Sequence, residues 1–139
     1  MQFTVRDWMI PLVVYIDPDA SVMEALAQMR RRYIHSLIVN KSETNPEYGI
    51  VTSTDICDKI VAAGRDPAKT KVREIMSSPL ILVRQDWTLQ QCSLTMKEHH
   101  IHHLPVADEN GSLVGMISAT DFLVAAEAMG RKPGEQLTG

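Results

Sequence analysis

The stretch Gly49-Ile50-Val51-Thr52-Ser53-Thr54-Asp55 returns as Gly115-Met116-Ile117-Ser118-Ala119-Thr120-Asp121, 66 positions later. Each copy runs glycine, two apolar residues, a hydroxyl, two further residues and an aspartate. The apolar pair reads as the end of a strand. The hydroxyl, with a carboxylate three residues on, reads as the start of a helix, where such side chains satisfy free backbone N–H groups. Twice, then, the chain sets a hydroxyl and a carboxylate about one turn apart at a strand-to-helix junction.

Working outward, Val5-Arg6-Asp7-Trp8-Met9 recurs as Val72-Arg73-Glu74-Ile75-Met76, now at a shift of 67. At the same shift Ser21-Val22-Met23-Glu24 corresponds to Thr88-Leu89-Gln90-Gln91, and His35-Ser36-Leu37-Ile38-Val39 to His102-His103-Leu104-Pro105-Val106. One residue is lost before the glycine blocks, in a turn that is Lys41 to Tyr48 in copy one and Asp108-Glu109-Asn110-Gly111 in copy two. The second has the Asn-Gly signature of a tight hairpin, and turns are where insertions belong.

Ser21 with Glu24, and Thr88 with Gln91, have capping-box spacing, so a helix starts at each. Val22, Ala25, Leu26 and Met29 in one helix, and Leu89, Cys92 and Met96 in the other, form single apolar stripes that must face a sheet. Leu37-Ile38-Val39 and Leu104-Pro105-Val106 read as short strands, paired through the turns with Ile50-Val51 and Met116-Ile117. A further helix is expected from Asp55 to Ala63, capped by Gly64 and barred from continuing by Asp66-Pro67. Each copy thus reads β-α-β-β-α. The expected fold is α/β, with motifs at 5–64 and 72–129, a polar linker at 65–71 and a loose tail at 130–139. A unit of about 60 residues buries little core alone, so the copies are expected to pack together, sheets inside and helices outside, about a pseudo-twofold axis.

The 139 residues, 45% hydrophobic and 22% charged, suit one globular body. A formal net charge of −3 gives no broad electrostatic reason to bind nucleic acid. The apolar run around Ile10 to Ile16 is broken by Pro11 and far too short for a membrane span, and no secretory cleavage pattern follows it; a cytoplasmic location is expected. Cys57 and Cys92 are expected on the inner faces of their helices, as buried apolar residues rather than a disulfide. The histidines of His99-His100-Ile101-His102-His103 invite a metal-site reading, but they run from a helix end into a strand, so their side chains diverge, and no metal is expected. No nucleophile with an adjacent base stands out, and no catalytic residue is assigned.

With the doubled glycine block, the opening Val-Arg-Asp/Glu-x-Met and the His-His-Leu-Pro-Val run in view, each copy resembles a cystathionine-β-synthase (CBS) motif, and the whole resembles a CBS pair, or Bateman module. The resemblance covers about residues 5 to 129 and implies a regulatory protein that binds an adenosine nucleotide in clefts between its motifs. A carboxylate can accept both ribose hydroxyl hydrogens, and a hydroxyl with helix-start N–H groups can donate to a phosphate. By the resemblance Asp55 and Asp121 take ribose, and Thr52 and Ser118 take phosphate, helped by His102 first and by His35 at the equivalent position. The alternative for the same residues is that they only cap their helices.

Adenine needs apolar walls and backbone hydrogen bonds. The resemblance draws these from Ile10, Pro11, Ser78 and Pro79 with Ile50, Met116, Leu37 and Leu104. Copy one departs from the pattern at Ile38, where copy two has Pro105, and in its longer turn, so its cleft is the less certain. No cofactor is required. AMP, ADP or ATP is the expected ligand, with S-adenosylmethionine or NADH as further options. A homodimer is expected through outer-helix residues Val61, Ala62, Phe122, Leu123, Ala125 and Ala126, with an effector protein as the partner that reads the ligand. The competing reading is a protein-interaction adaptor with vestigial clefts.

Overall fold

The structure, a computed structural model, describes residues 3–131. Of the tail expected at 130–139, residues 132–139 lie outside the described residues, and Gly130 closes the last helix. The chain forms two compact units, Val13–Ile81 and Met1–Leu12 with Leu82–Gly139, called here the first and second unit.

In the first unit β1 (Tyr15–Ile16) pairs parallel with β2 (Ser36–Val39), and β2 pairs antiparallel with β3 (Gly49–Thr52). Between β1 and β2 runs α2 (Val22–Arg32), and β3 leads into α3 (Ser53–Ile56). The second unit repeats this with β4 (Val83–Arg84), α4 (Leu89–His99), β5 (His103–Ala107), β6 (Leu113–Ser118) and α5 (Ala119–Gly130), in sheet order β4-β5-β6. This is the β-α-β-β-α order read twice in the sequence. A short helix, α1 (Val5–Trp8), precedes it all, and a 3₁₀ turn at Val72–Glu74 is its counterpart.

The compact units are not the sequence copies, because each unit takes its opening segment from the other copy. In the first unit the amides of Val72 and Arg73 bond the carbonyls of Ala20 and Pro18 at 2.9 and 3.0 Å; in the second, Val5 and Arg6 bond Trp87 and Gln85, both at 2.9 Å. These are the same four positions, one repeat apart. The expected linker is part of this arrangement: Thr70 is buried, its hydroxyl donates to the Asp66 carbonyl, and its own carbonyl accepts from the Val22 amide.

Helices α2 and α4 both begin at the expected residues, α4 with the full capping box and α2 with only its serine half. The Ser21 hydroxyl accepts from the Glu24 amide at 3.1 Å, and Thr88 and Gln91 form a reciprocal box at 3.1 and 2.9 Å. Their ends were not foreseen: both close on a left-handed residue that is not glycine, Tyr33 and His100, each at φ 54°. The apolar stripes are buried, Val22, Ala25 and Met29 against Leu37, Val39 and Val51 in the first unit, while Leu89, Cys92 and Met96 are buried at the matching positions of the second. In the tight hairpin Asp108 Oδ1 accepts from the amides of Asn110 and Ser112, with Gly111 at φ +83°.

Two expectations fail behind β3 and β6. Cys57, expected on an inner face, is exposed, because the helix leaves α geometry there and runs as a π turn over Cys57–Val61 before Gly64 caps it at φ +69°. Ala125, expected on an outer face, is buried in the core.

Candidate functional site

Each glycine block is held by a backbone segment that a side chain would push away. In the second unit Ile10 and Met116 exchange N–H···O bonds at 2.8 and 2.9 Å, and a Cβ on Gly115 would lie 2.6 Å from the Ile10 carbonyl oxygen. In the first, Ile50 and Ser77 exchange bonds at 2.9 Å, and a Cβ on Gly49 would meet Met76 Sδ at 2.7 Å. Glycine here serves close approach rather than a turn. The Met9 and Met76 side chains lie against these glycines, which explains the methionine of the opening motif.

The register decides which adenine candidates share a face. Met116 pairs with Pro105 and Ile50 with Ile38, whereas Leu104 pairs with Ile117 and Leu37 with Val51. Because side chains alternate along a strand, Leu104 and Leu37 belong to the opposite face, and both are fully buried. The structure therefore brings Ile10 and Pro11 to Met116, and Ser78 and Pro79 to Ile50, but does not bring Leu104 or Leu37 to either group; Pro105 and Ile38 stand in those places. The first unit adds an aromatic pair that sequence reasoning missed, Tyr15 and Tyr48 at 5.9 Å between ring centroids, with Lys41 Nζ 4.8 Å above the Tyr48 ring. Their one sequence signal is that Tyr48 stands two residues before Ile50, just ahead of β3.

At the strand-to-helix junctions the capping geometry is made in both units. Asp121 Oδ2 accepts from the Ser118 amide at 2.8 Å and from its hydroxyl at 3.3 Å. Asp55 Oδ2 accepts from the Thr52 amide at 2.8 Å and from its hydroxyl at 3.2 Å. Capping thus uses one oxygen of each carboxylate. The other oxygens differ. Asp55 Oδ1 is ion-paired with Lys59 Nζ at 3.0 Å, and the same ammonium donates to the Ile75 carbonyl at 2.8 Å. Asp121 Oδ1 has no hydrogen bond or ion pair among the described residues.

His35 and His102 meet the two strand-to-helix junctions through their backbones. Their carbonyls accept from the first helical amides, Ser53 and Ala119, at 2.9 Å. His102 lines an open hollow of about 380 Å³ with Lys97, His100 and Phe122; His35 lines its counterpart of about 400 Å³ with Arg30, Tyr33 and Ile56. Directly across the sheet from Ser118 is His103. Among the described residues no group of three or more His, Cys, Asp or Glu is placed to hold a metal ion, and no helix is long and apolar enough to cross a membrane.

A model of the CBS domain matches residues 5–62 and again 72–128, so the chain belongs to the CBS domain family. An uncharacterized protein of Methanopyrus kandleri is 32% identical over 111 residues, 80% of this chain and 56% of that protein, so the chain spans little over half of that relative. A hexameric CBS-CP12 protein from bloom-forming cyanobacteria is 30% identical, with a TM-score of 0.85 over 99% of this chain and 78% of that one. The CBS domain pair of protein MJ0100, solved in complex with 5′-methylthioadenosine and S-adenosyl-L-methionine, is 24% identical with a TM-score of 0.78, covering 93% and 99% of the two chains, a likeness of fold.

Proposed function

We propose that this protein is a regulatory CBS pair that binds an adenosine-type ligand and passes its occupancy to a partner protein. One observation carries the reading: Asp121, half-buried in the first turn of α5, has one oxygen fixed by its own helix cap and the other without a partner among the described residues. A carboxylate so oriented is ready to accept the paired hydroxyl hydrogens of a ribose. Met116, Pro105 and the Ile10-Pro11 segment supply an apolar wall with backbone groups beside it, which suits a purine. The Ser118 hydroxyl and the first amides of the twelve-residue α5 suit a phosphate. AMP, ADP and ATP are the first ligands to try, with S-adenosylmethionine and NADH next, since the adenosine part is what these groups read.

No nucleophile–base pair enters this reading, which is one of binding and regulation. The ligand biases the conformation of the protein, and a partner with different affinity for the two states responds. Exposed Leu123, Val124 and Met129 on α5, with Val61 in the first unit, support self-association as a homodimer.

Isothermal titration of the purified chain with each ligand, in a buffer containing chelator, tests the proposal. Saturable binding that Asp121→Asn weakens about a hundredfold, in a variant that stays folded, is the expected result. Flat traces for every ligand would leave the adaptor reading.

A further inference from the structure

The two carboxylates occupy the same place in the repeat, yet the chain behind them is wound differently. In the second unit α5 runs as an unbroken α-helix, and the residue four after Asp121 is Ala125, which is 1% exposed. A lysine at that position would point its ammonium into the core. In the first unit the residue four after Asp55 is Lys59, and the helix turns π over Cys57–Val61, with the Ala62 amide bonding the Cys57 carbonyl at 2.9 Å. The wider turn hands the core position to the next residue, Ile60, which is 3% exposed. Lys59 is thereby swung to the flank, where it meets Asp55 and the Ile75 carbonyl. Single π turns of this kind are frequent where a helix serves a site.

From this we infer that Lys59 is a built-in occupant of the first unit's carboxylate and restricts ribose recognition to the second unit. Its ammonium bridges Asp55 to the 75–77 backbone, the segment that holds Ile50 at Ser77. In the second unit the corresponding walls are Asp121 and the segment ending at Ile10, and among the described residues no lysine or arginine is ion-paired with Asp121. Asp55 is 12% exposed while Lys59 is 44% exposed, so the lysine lies over the carboxylate from the solvent side. A ribose reaching Asp55 must first displace an ion pair and a charge-assisted hydrogen bond, whereas at Asp121 it displaces neither.

This inference rests on the adenosine-ligand reading, and the titrations separate the two. Wild type should bind one ligand per chain, and Asp121→Asn should lose it; that much tests the reading. Lys59→Met should add a second site, raising the first unit's affinity about ten- to hundredfold as two hydrogen bonds to a free carboxylate become available. Lys59→Met with Asp121→Asn should keep one site per chain. Lys59→Arg, which retains the cation, should behave as wild type. The inference is overturned, with the reading intact, if wild type already binds two ligands of similar affinity, or if folded Lys59→Met still binds one. No binding by any variant removes both.

Discussion

Behind Asp55 the helix widens and returns a lysine to the carboxylate; behind Asp121 it stays α-helical and buries an alanine. The caps before these points are alike to within 0.1 Å in their shared contacts, amide to carboxylate at 2.8 Å in both and hydroxyl to carboxylate at 3.2 and 3.3 Å. Duplication therefore preserved the part of the block that the helix needs for its own start. It let the part beyond the cap drift. The same contrast appears on the sheet, where Tyr15 and Tyr48 with Lys41 stand in the first unit, and Leu82, Val114 and Asp108 in the second. A repeated cap says that a helix starts; the second carboxylate oxygen is what distinguishes the two junctions.

The largest stability effect that would sharpen this comparison is at the two glycines. Alanine at Gly115 drives Cβ to 2.6 Å from a backbone carbonyl, which can move only by breaking the Ile10–Met116 pair. Alanine at Gly49 meets first the sulfur of Met76, a flexible side-chain end, and next the Ser77 carbonyl at 3.1 Å. Overpacking against fixed atoms costs about 2–3 kcal/mol and against a yielding side chain about 1 kcal/mol. Urea unfolding of the two variants should thus rank Gly115→Ala well below Gly49→Ala, and Gly115→Ala should also weaken ligand binding. Equal losses would mean that the two segments are equally fixed.

Next in size is the pair of thiols. Burial pushes the Cys92 thiol up to about 12, while Cys57 lies exposed on the π turn. Native protein should titrate one thiol with a disulfide reagent and unfolded protein two. The raised Cys92 value also carries a sign. The unfolded thiol ionises first, near 9, so the contribution is whole below that pH and is lost as pH rises toward 12, at about 1.4 kcal/mol per pH unit. Comparing the alkaline slopes of wild type and Cys92→Ala isolates it.

These outcomes bear on what the sequence made legible. The repeat, the capping boxes, the apolar stripes and the hairpins all follow from residue type and spacing, because each depends on neighbours a few positions apart. The exchange of opening segments does not, since Val5 and Val72 carry the same local pattern whichever unit they join. The resemblance draws Leu37 and Leu104 into the wall from strands in which every neighbour is also apolar; only the strand register separates the two faces. Lys59 was the reachable omission. Asp55 and Lys59 have the four-residue spacing of a helical ion pair, and the lysine sits where an amphipathic helix should place an apolar residue, a local conflict that the π turn resolves.

The smallest effect tests the opening segments themselves. In the first unit Glu74 accepts from the Lys71 amide at 2.6 Å and from Arg65 at 2.6 Å; at the matching place in the second, Asp7 accepts from the Thr4 hydroxyl at 2.9 Å. The Lys71 amide, then the Arg65 guanidinium, hold the Glu74 carboxyl below its ordinary value. A lowered carboxylate stabilises the fold above its unfolded value, and that contribution is lost as pH falls through the folded one. Wild type should therefore lose slightly more stability than Glu74→Gln on going from pH 5 to about pH 3. Because Glu74 is at the surface, salt should shrink the difference. An acid slope unchanged by Glu74→Gln would mean that the 3₁₀ turn is held by its backbone bonds to Ala20 and Pro18.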